Sequence, residues 1–289
     1  MPNIVATKFF RFASLLLAIL LQSQISFAQS FSEFLREKAV KIVAFDSLGQ
    51  AVYEQLIGYQ VIMLGEQHGT SEPAQFLTGL VNLFTAHGDT VLVGYEIPAD
   101  QLENYWAQPN DSSLLQSEFF TNNVNDGRAS KAWASSILQV GKNPLVHIFL
   151  FDIDKTEVGA NRDSLMYIKI KRQLMAHPTW RVLTLSGNIH NIRQPYKDKL
   201  RAAGFLANDL ELKLSDKLCS LNLYFLSGTV LNNIGNGLEL RQVNQAPSVY
   251  SIAVDYSKYL FLYPDSMRDK YDGMFFTRTV TASELAKSK

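Results

Sequence analysis

The sequence predicts an α/β fold: a mostly parallel, mixed central sheet flanked by helices on both faces. Three observations predict it. Four short apolar runs have the length and β-branched content of buried strands: Val61 to Leu64, Thr90 to Tyr95, Leu145 to Phe151 and Arg181 to Leu185. Helical patterns alternate with them, which is the rhythm of strand–helix–strand units. And each run exits into acids or a histidine, as ligand-binding loops do at the strand ends of open α/β sheets.

The elements follow in order. Phe31 to Ile57 is charged and apolar at helical spacing and reads as two helices broken near Asp46 to Gly49. After the first strand comes the loop Gly65-Glu66-Gln67-His68-Gly69, whose glycines permit a tight turn and close approach of a ligand. Thr70 or Ser71 can cap the next helix, with Pro73 tolerated in its first turn, and that helix runs to about Ala86. The second strand ends in Glu96-Ile97-Pro98 and the third in Asp152-Ile153-Asp154. Asp163 to Ala176 is a helix with Met166, Ile170 and Leu174 on one face. The fourth strand ends in Gly187-Asn188-Ile189-His190. Further strands are expected at Leu221 to Leu226, Val249 to Val254 and Met274 to Val280, some antiparallel.

Residues 100–144 break the rhythm. They hold Trp106, Phe119, Phe120 and Trp133 among polar residues and helical patches, and they leave one strand exit and return before the next strand. A helical insertion or lid over the strand ends is expected there. No internal repeat or low-complexity segment occurs.

Residues 1–28 read as a secretory leader. Lys8 and Arg11 precede an apolar stretch from Phe12 to Leu21, and Ser26-Phe27-Ala28 offers small residues where a signal peptidase reads. The apolar stretch is short for a membrane span. The expected mature protein is exported, periplasmic or secreted, and one α/β domain from residue 29 to 289, with no stable membrane insertion after cleavage. Loss of Lys8 and Arg11 leaves 25 basic against 27 acidic residues, and no basic run remains. Nucleic acid is therefore not an expected partner, and a small-molecule ligand or substrate is. Cys219 is the only cysteine, so neither an internal disulfide nor a lipidated cysteine after the leader is available.

In a parallel sheet the four strand exits share one edge, so Glu66, His68, Glu96, Asp152, Asp154 and His190 converge although they are far apart in sequence. His68 and His190 are the leading candidates for acid–base work, each between small residues beyond a strand. Glu66 and Glu96 can orient a histidine, raise its basicity or bind a metal. Arg162 can clamp a carboxylate or stabilise an oxyanion, or else pair with Glu96. Asp163 can cap its helix, and Glu72 can be a first-turn acid favoured by the helix dipole. Asn188 lies within the late histidine loop. Asp152 and Asp154 resemble ordinary solvated turn acids. His147 sits inside a strand, and His87 and His177 sit at helix C-termini, where a partial positive charge is favourable without any function. No serine-nucleophile elbow and no zinc-type spacing occur.

Together these segments resemble a known family. Leu64-Gly65-Glu66-Gln67-His68-Gly69-Thr70-Ser71-Glu72 resembles the first motif of the erythromycin esterase and ChaN-like superfamily, which is related to the Tiki group. Glu96 matches its second acid, Asn161-Arg162-Asp163-Ser164-Leu165-Met166 its arginine–aspartate–methionine helix start, and Ser186-Gly187-Asn188-Ile189-His190 its late histidine motif. The resemblance spans about Val61 to Asn191 and extends more weakly to Asp272-Gly273-Met274-Phe275. One residue separates Glu66 from His68, as in the ChaN branch, whereas the residues after His68 match the esterases.

The resemblance implies a cleft at the strand ends. In the esterase branch, histidine and glutamate activate water to open a lactone. The ChaN branch binds haem, and the Tiki group holds a metal-dependent peptidase. The expectation is an exported hydrolase of esters or lactones, with His68, Glu66, Glu96, His190 and Arg162 catalytic and Glu72, Asn188 and Asp163 binding substrate. No cofactor is expected. The alternatives are a haem or iron-porphyrin binder and a metal-dependent hydrolase whose ligands would be His68, His190 and Glu66.

Overall fold

A computed structural model describes residues 31–122, 126–235, 237–245 and 256–286. The expected leader and the expected strand from Val249 to Val254 lie outside the described residues. Two units divide the described chain. Residues 31–39 form one, a single helix (α1, residues 31–38), and the second begins at Val40 and holds everything below.

The second unit opens with strand β1 (Val40–Lys41), helix α2 (Gln50–Leu56), strand β2 (Val61–Glu66), helix α3 (Glu72–Ala86) and strand β3 (Val91–Pro98). The insertion then forms α4 (Glu103–Ala107), α5 (Asp111–Leu115), α6 (Glu118–Asn122) and α7 (Lys131–Val140). Strand β4 (Val146–Asp152), helix α8 (Arg162–Ala176), strand β5 (Arg181–Gly187) and helix α9 (Ala202–Ala207) follow. The chain closes with β6 (Leu218–Asn233), β7 (Leu238–Asn244), β8 (Lys258–Leu262) and β9 (Gly273–Val280).

The strands form one nine-stranded sheet in the order β1-β8-β9-β6-β2-β5-β3-β4, with β7 pairing the far half of β6. Pairing is parallel from β9 through β6, β2, β5 and β3 to β4, and antiparallel where β8, β1 and β7 join. The fold class expected from sequence is the one observed.

Alternation along the strands builds a core on each face. On one face Ile62, Leu64, Val93, Tyr95, Leu183 and Leu185 pack with Phe76, Leu80 and Phe84 of α3 and with Trp133 and Ile137 of α7. The insertion adds Tyr105, Leu114, Phe119 and Phe120 to the same core. On the other face Val61, Met63, Leu92, Phe151 and Val182 meet Met166, Ile170 and Leu174 of α8 and Ala202, Ala203 and Leu206 of α9. Each large apolar side chain buried this way contributes about 1.5–3 kcal/mol. Truncating Met166 to alanine costs about 2–5 kcal/mol, because the cavity closes only in part.

Three differences from the sequence reading have physical causes. The break after α1 comes at residue 39, because Val40 and Lys41 pair with Leu260 and Tyr259 of β8 instead of continuing a helix. Strand β6 runs 16 residues rather than stopping at Leu226, because β7 folds back on it and supplies hydrogen bonds to a polar, half-exposed stretch. The cap of α8 is Asn161, which accepts the Ser164 amide at 3.2 Å, and not Asp163. Among the described residues no helix is long and apolar enough to cross a membrane.

Candidate active site

Strands β2, β5, β3 and β4 are mutually parallel, so their C-terminal ends lie on one edge. Glu66, Asp152 and Gly187 close β2, β4 and β5, and Glu96 stands two residues before the end of β3. Beyond β2 the chain turns at Gly69, whose φ of +87° favours glycine. A Cβ on Gly69 would lie 2.1 Å from the Leu231 carbonyl oxygen of β6. Gly127 of the insertion packs on the same carbonyl and on Gly69, which delivers Arg128 to the strand ends.

The first histidine is held by a buried carboxylate. His68 Nδ1 lies 2.5 Å from Glu66 Oε1. An ionised carboxylate only accepts, so Nδ1 carries the proton and neutral His68 keeps its lone pair on Nε2. The other oxygen of Glu66 accepts the Trp133 indole N–H at 3.0 Å. Glu66 is fully buried, whereas the His68 side chain keeps 24% exposure. Burial disfavours the imidazolium, but the Glu66 hydrogen bond and the charges of Glu66 and Glu96 outweigh it. His68 therefore titrates above the ordinary histidine range.

The second histidine repeats the arrangement. His190 Nδ1 lies 2.7 Å from Asp163 Oδ1, which also accepts the Ala202 amide at 3.1 Å. Arg201 Nη1 donates to Asp163 Oδ2 at 3.0 Å. Burial opposes ionisation of Asp163, and the bonds and charge from His190 and Arg201 overcome it, so its pKa is lowered.

Glu96 stands between the two pairs. Its Oε2 accepts the Gly187 amide at 2.6 Å, and its Oε1 accepts Arg162 Nη2 at 2.5 Å and Arg128 Nη1 at 3.0 Å. His190 Nε2 is 3.7 Å from Glu96 Oε1. A Cβ on Gly187 would lie 3.0 Å from His68 Nε2 and 3.7 Å from Glu96 Oε2, so His68 reaches the same place from the other side. Burial raises the pKa of Glu96, but Arg128, the two histidines and Arg162 bring it below the ordinary value. With both oxygens taken and 1% exposure, Glu96 is an anchor and not a proton acceptor.

The arginines are fixed in turn. Arg162 grips Asp152 through Nε and Nη2, both at 2.7 Å. Its Nη1 makes no bond to any described residue, and 36% of the side chain faces solvent. Arg128 bridges the Glu96 carbonyl at 2.8 Å, Asp152 at 2.9 Å and Asp126. Burial works against ionised Asp152, and Arg162 and Arg128 hold its pKa down to about 2.

The structure thus brings together His68, Glu66, Glu96, His190 and Arg162. Three residues expected to bind substrate stand differently. Both oxygens of Asp163 are used behind His190, by that ring, the Ala202 amide and Arg201. Glu72 bonds the Thr281 amide at 2.9 Å, and no bond links it to the histidine cluster. Asn188 packs over Gly65 at the edge of the cluster and accepts Tyr271 Oη–H on its carbonyl at 3.1 Å.

Asp152 proves buried and shared by two arginines, although sequence suggested a solvated turn acid. Asp154 instead ties Lys169 and the Ala99 amide. Sequence missed Arg128 and the Trp133 donor. The Asp126-Gly127 pair signals only a turn, and nothing local says what the next arginine meets.

Of the residues expected as a metal set, Glu66 has both oxygens engaged, by His68 and Trp133, while His68 and His190 each hold Nδ1 on a carboxylate and keep Nε2 free. Among the described residues no group of three or more histidine, cysteine, aspartate or glutamate residues could hold a metal ion. A cavity of about 450 Å³ beside α3 and α7 is lined by Ser71, Thr78, Ser135, Gln139 and Ser283. Its lining holds no histidine, unlike the cluster at the strand ends.

No protein-family model matches the chain, and no curated protein matches its sequence. Solved structures do match. A protein from Bacillus cereus aligns with TM-score 0.67 at 10% identity, over 89% of this chain and 99% of its own. A succinoglycan biosynthesis protein aligns with TM-score 0.68 at 10% identity, over 90% and 99%. A mutant of the erythromycin esterase EreC in its open conformation aligns with TM-score 0.57 at 12% identity, over 82% and 95%. The chain shares the fold of these proteins, an erythromycin esterase-like α/β architecture. At such identities the likeness is one of fold.

Proposed function

We propose that this protein is an exported hydrolase that cleaves an ester or lactone with water activated by histidine. The observation that carries the reading is the pair of carboxylate–histidine dyads, Glu66–His68 and Asp163–His190, turned toward the common anchor Glu96. A carboxylate on Nδ1 fixes the tautomer and orientation of an imidazole and leaves Nε2 for proton transfer. The fold shared with an erythromycin esterase supports the same class of reaction.

In this reading His68 Nε2 takes a proton from water as its oxygen bonds to the acyl carbon. The carbonyl oxygen becomes an oxyanion, and the free Nη1 edge of Arg162 donates to it. As the ester C–O bond breaks, His190 in its protonated form gives a proton from Nε2 to the leaving oxygen. Glu66 and Asp163 stay ionised throughout and hold their rings. Glu96, Asp152 and Arg128 fix Arg162 in place without touching substrate.

The test is a screen of purified mature protein against a panel of esters and lactones beside its His68→Ala variant. Turnover by the wild type and loss of about 100-fold or more in the variant supports the reading. Turnover that survives in the variant removes it.

A further inference from the structure

The carboxylate that orients His68 is itself held by the insertion. Trp133 lies on α7, is wholly buried, and donates its indole N–H to Glu66 Oε2 at 3.0 Å. Glu66 Oε1 is the oxygen bonded to His68. The ring is fixed by Tyr95 at 5.7 Å and by Phe119 at 6.4 Å between centroids. A buried carboxylate must find donors for both oxygens. Among the described residues Trp133 and His68 are the two that hydrogen-bond the Glu66 side chain.

We propose that Trp133 is a positioning residue for the water-activating histidine, its indole N–H setting the rotation and the charge of the Glu66 carboxylate that His68 leans on. The proposal rests on the hydrolase reading for its purpose, but not for its geometry. Trp133 never meets substrate. It acts in two ways. It fixes the carboxylate plane, so that Oε1 faces Nδ1 and Nε2 points toward Gly187. It also draws negative charge toward Oε2, which tempers the pull of Glu66 on the His68 proton. Without the N–H the full charge falls on the His68 side, and the imidazolium becomes harder to deprotonate.

Other charges act on His68. Glu96 and Glu66 favour its charged form, Arg128 opposes it, and Asp126 lies close enough to interact with it. None of them hydrogen-bonds Trp133, so a Trp133→Phe change removes one donor and leaves these groups in place. Tyr95 and Phe119 retain an aromatic partner.

The experiment is a nitrogen-15 NMR titration of the histidines in the full mature chain, with His68 assigned from the His68→Ala spectrum. Wild type, Trp133→Phe, Glu66→Gln and the double variant are compared. No substrate is needed, so the proposal is decided even if the ester screen finds nothing. In Trp133→Phe the His68 midpoint is expected to rise by about half a unit or more, equivalent to about threefold in proton affinity. The basic limb of any pH–rate profile should move by the same amount. In the Glu66→Gln background the Trp133 change should do nothing, because its route is gone. An unmoved His68 midpoint in a folded Trp133→Phe protein overturns the proposal. So does an equal shift in both backgrounds, which would make Trp133 merely structural. If Trp133→Phe does not fold, wild-type protein labelled with 5-fluorotryptophan replaces it. The altered N–H acidity must then move the His68 midpoint, and an unmoved midpoint overturns the proposal.

Discussion

Gly187 and His68 meet across the sheet edge: a side chain on Gly187 would begin 3.0 Å from His68 Nε2, the nitrogen left free by Glu66. Gly187 has φ −54°, which any residue adopts, so space and not backbone conformation makes glycine necessary here. Gly187→Ala is therefore expected to fold, at a cost of about 1 kcal/mol for the tight contact. On the proposed hydrolase reading it should lower kcat/KM by about tenfold or more, because the Nε2 atom that would activate water must shift. Thermal melting and kinetics on the same preparation check both halves.

Arg128 matters for stability before it matters for rate. Its guanidinium compensates Glu96 and Asp152, whose side chains are 1% and 4% exposed. Removing one partner from a buried ionic cluster leaves uncompensated charge and costs about 3–5 kcal/mol. Arg128→Met should lower the urea midpoint accordingly. A loss below about 1 kcal/mol would show that water compensates the carboxylates and that the insertion does not pin the site.

The same network sets the response to acid. Asp152, Asp163 and Glu96 all titrate below their ordinary values, Asp152 at about 2. Ionised carboxylates therefore favour the fold. Their contribution is complete above the unfolded pKa values of about 4 and is lost as pH falls toward the folded ones. The urea midpoint should drop steeply between pH 5 and pH 2, and Asp152→Asn should flatten the slope.

Export gives an independent check. The leader layout predicts a mature N-terminus at Gln29. N-terminal sequencing of the exported protein should read Gln-Ser-Phe. Retention of Met1 on membrane-bound material would contradict it.

Much of the site can be read from sequence because parallel strands have a common exit edge. Glu66, His68, Glu96 and His190 stand on apolar runs whose direction follows from the strand–helix alternation, so their gathering needs no long-range information. Arg128 and Trp133 come from the insertion, where no period sets a direction, and their partners depend on how α7 docks. Asp152 looked like a turn acid because its burial is decided by two arginines, Arg128 and Arg162, from other parts of the chain. Glu72 is expected at the site only through the resemblance of the Leu64–Glu72 motif; it stands in the first turn of α3, as its other reading has it, and bonds the Thr281 amide. Strands β7 and β8 escaped notice because they are short, polar in part and defined by pairing rather than by pattern.

The central claim is that His68, held by Glu66, is the base that activates water. The most direct measurement is kcat/KM for an ester or lactone turned over by the mature protein, from pH 5 to pH 9, with His68→Ala and Glu66→Gln beside the wild type. Because the His68 pKa is raised, the wild-type rate should climb with pH through an apparent pKa above 6.5 and then level off. Glu66→Gln should move that limb downward, since the charge that supports the imidazolium is gone. His68→Ala should lose the limb and at least about 100-fold in rate while remaining folded. A folded His68→Ala protein with wild-type turnover and an unchanged pH limb would contradict the account.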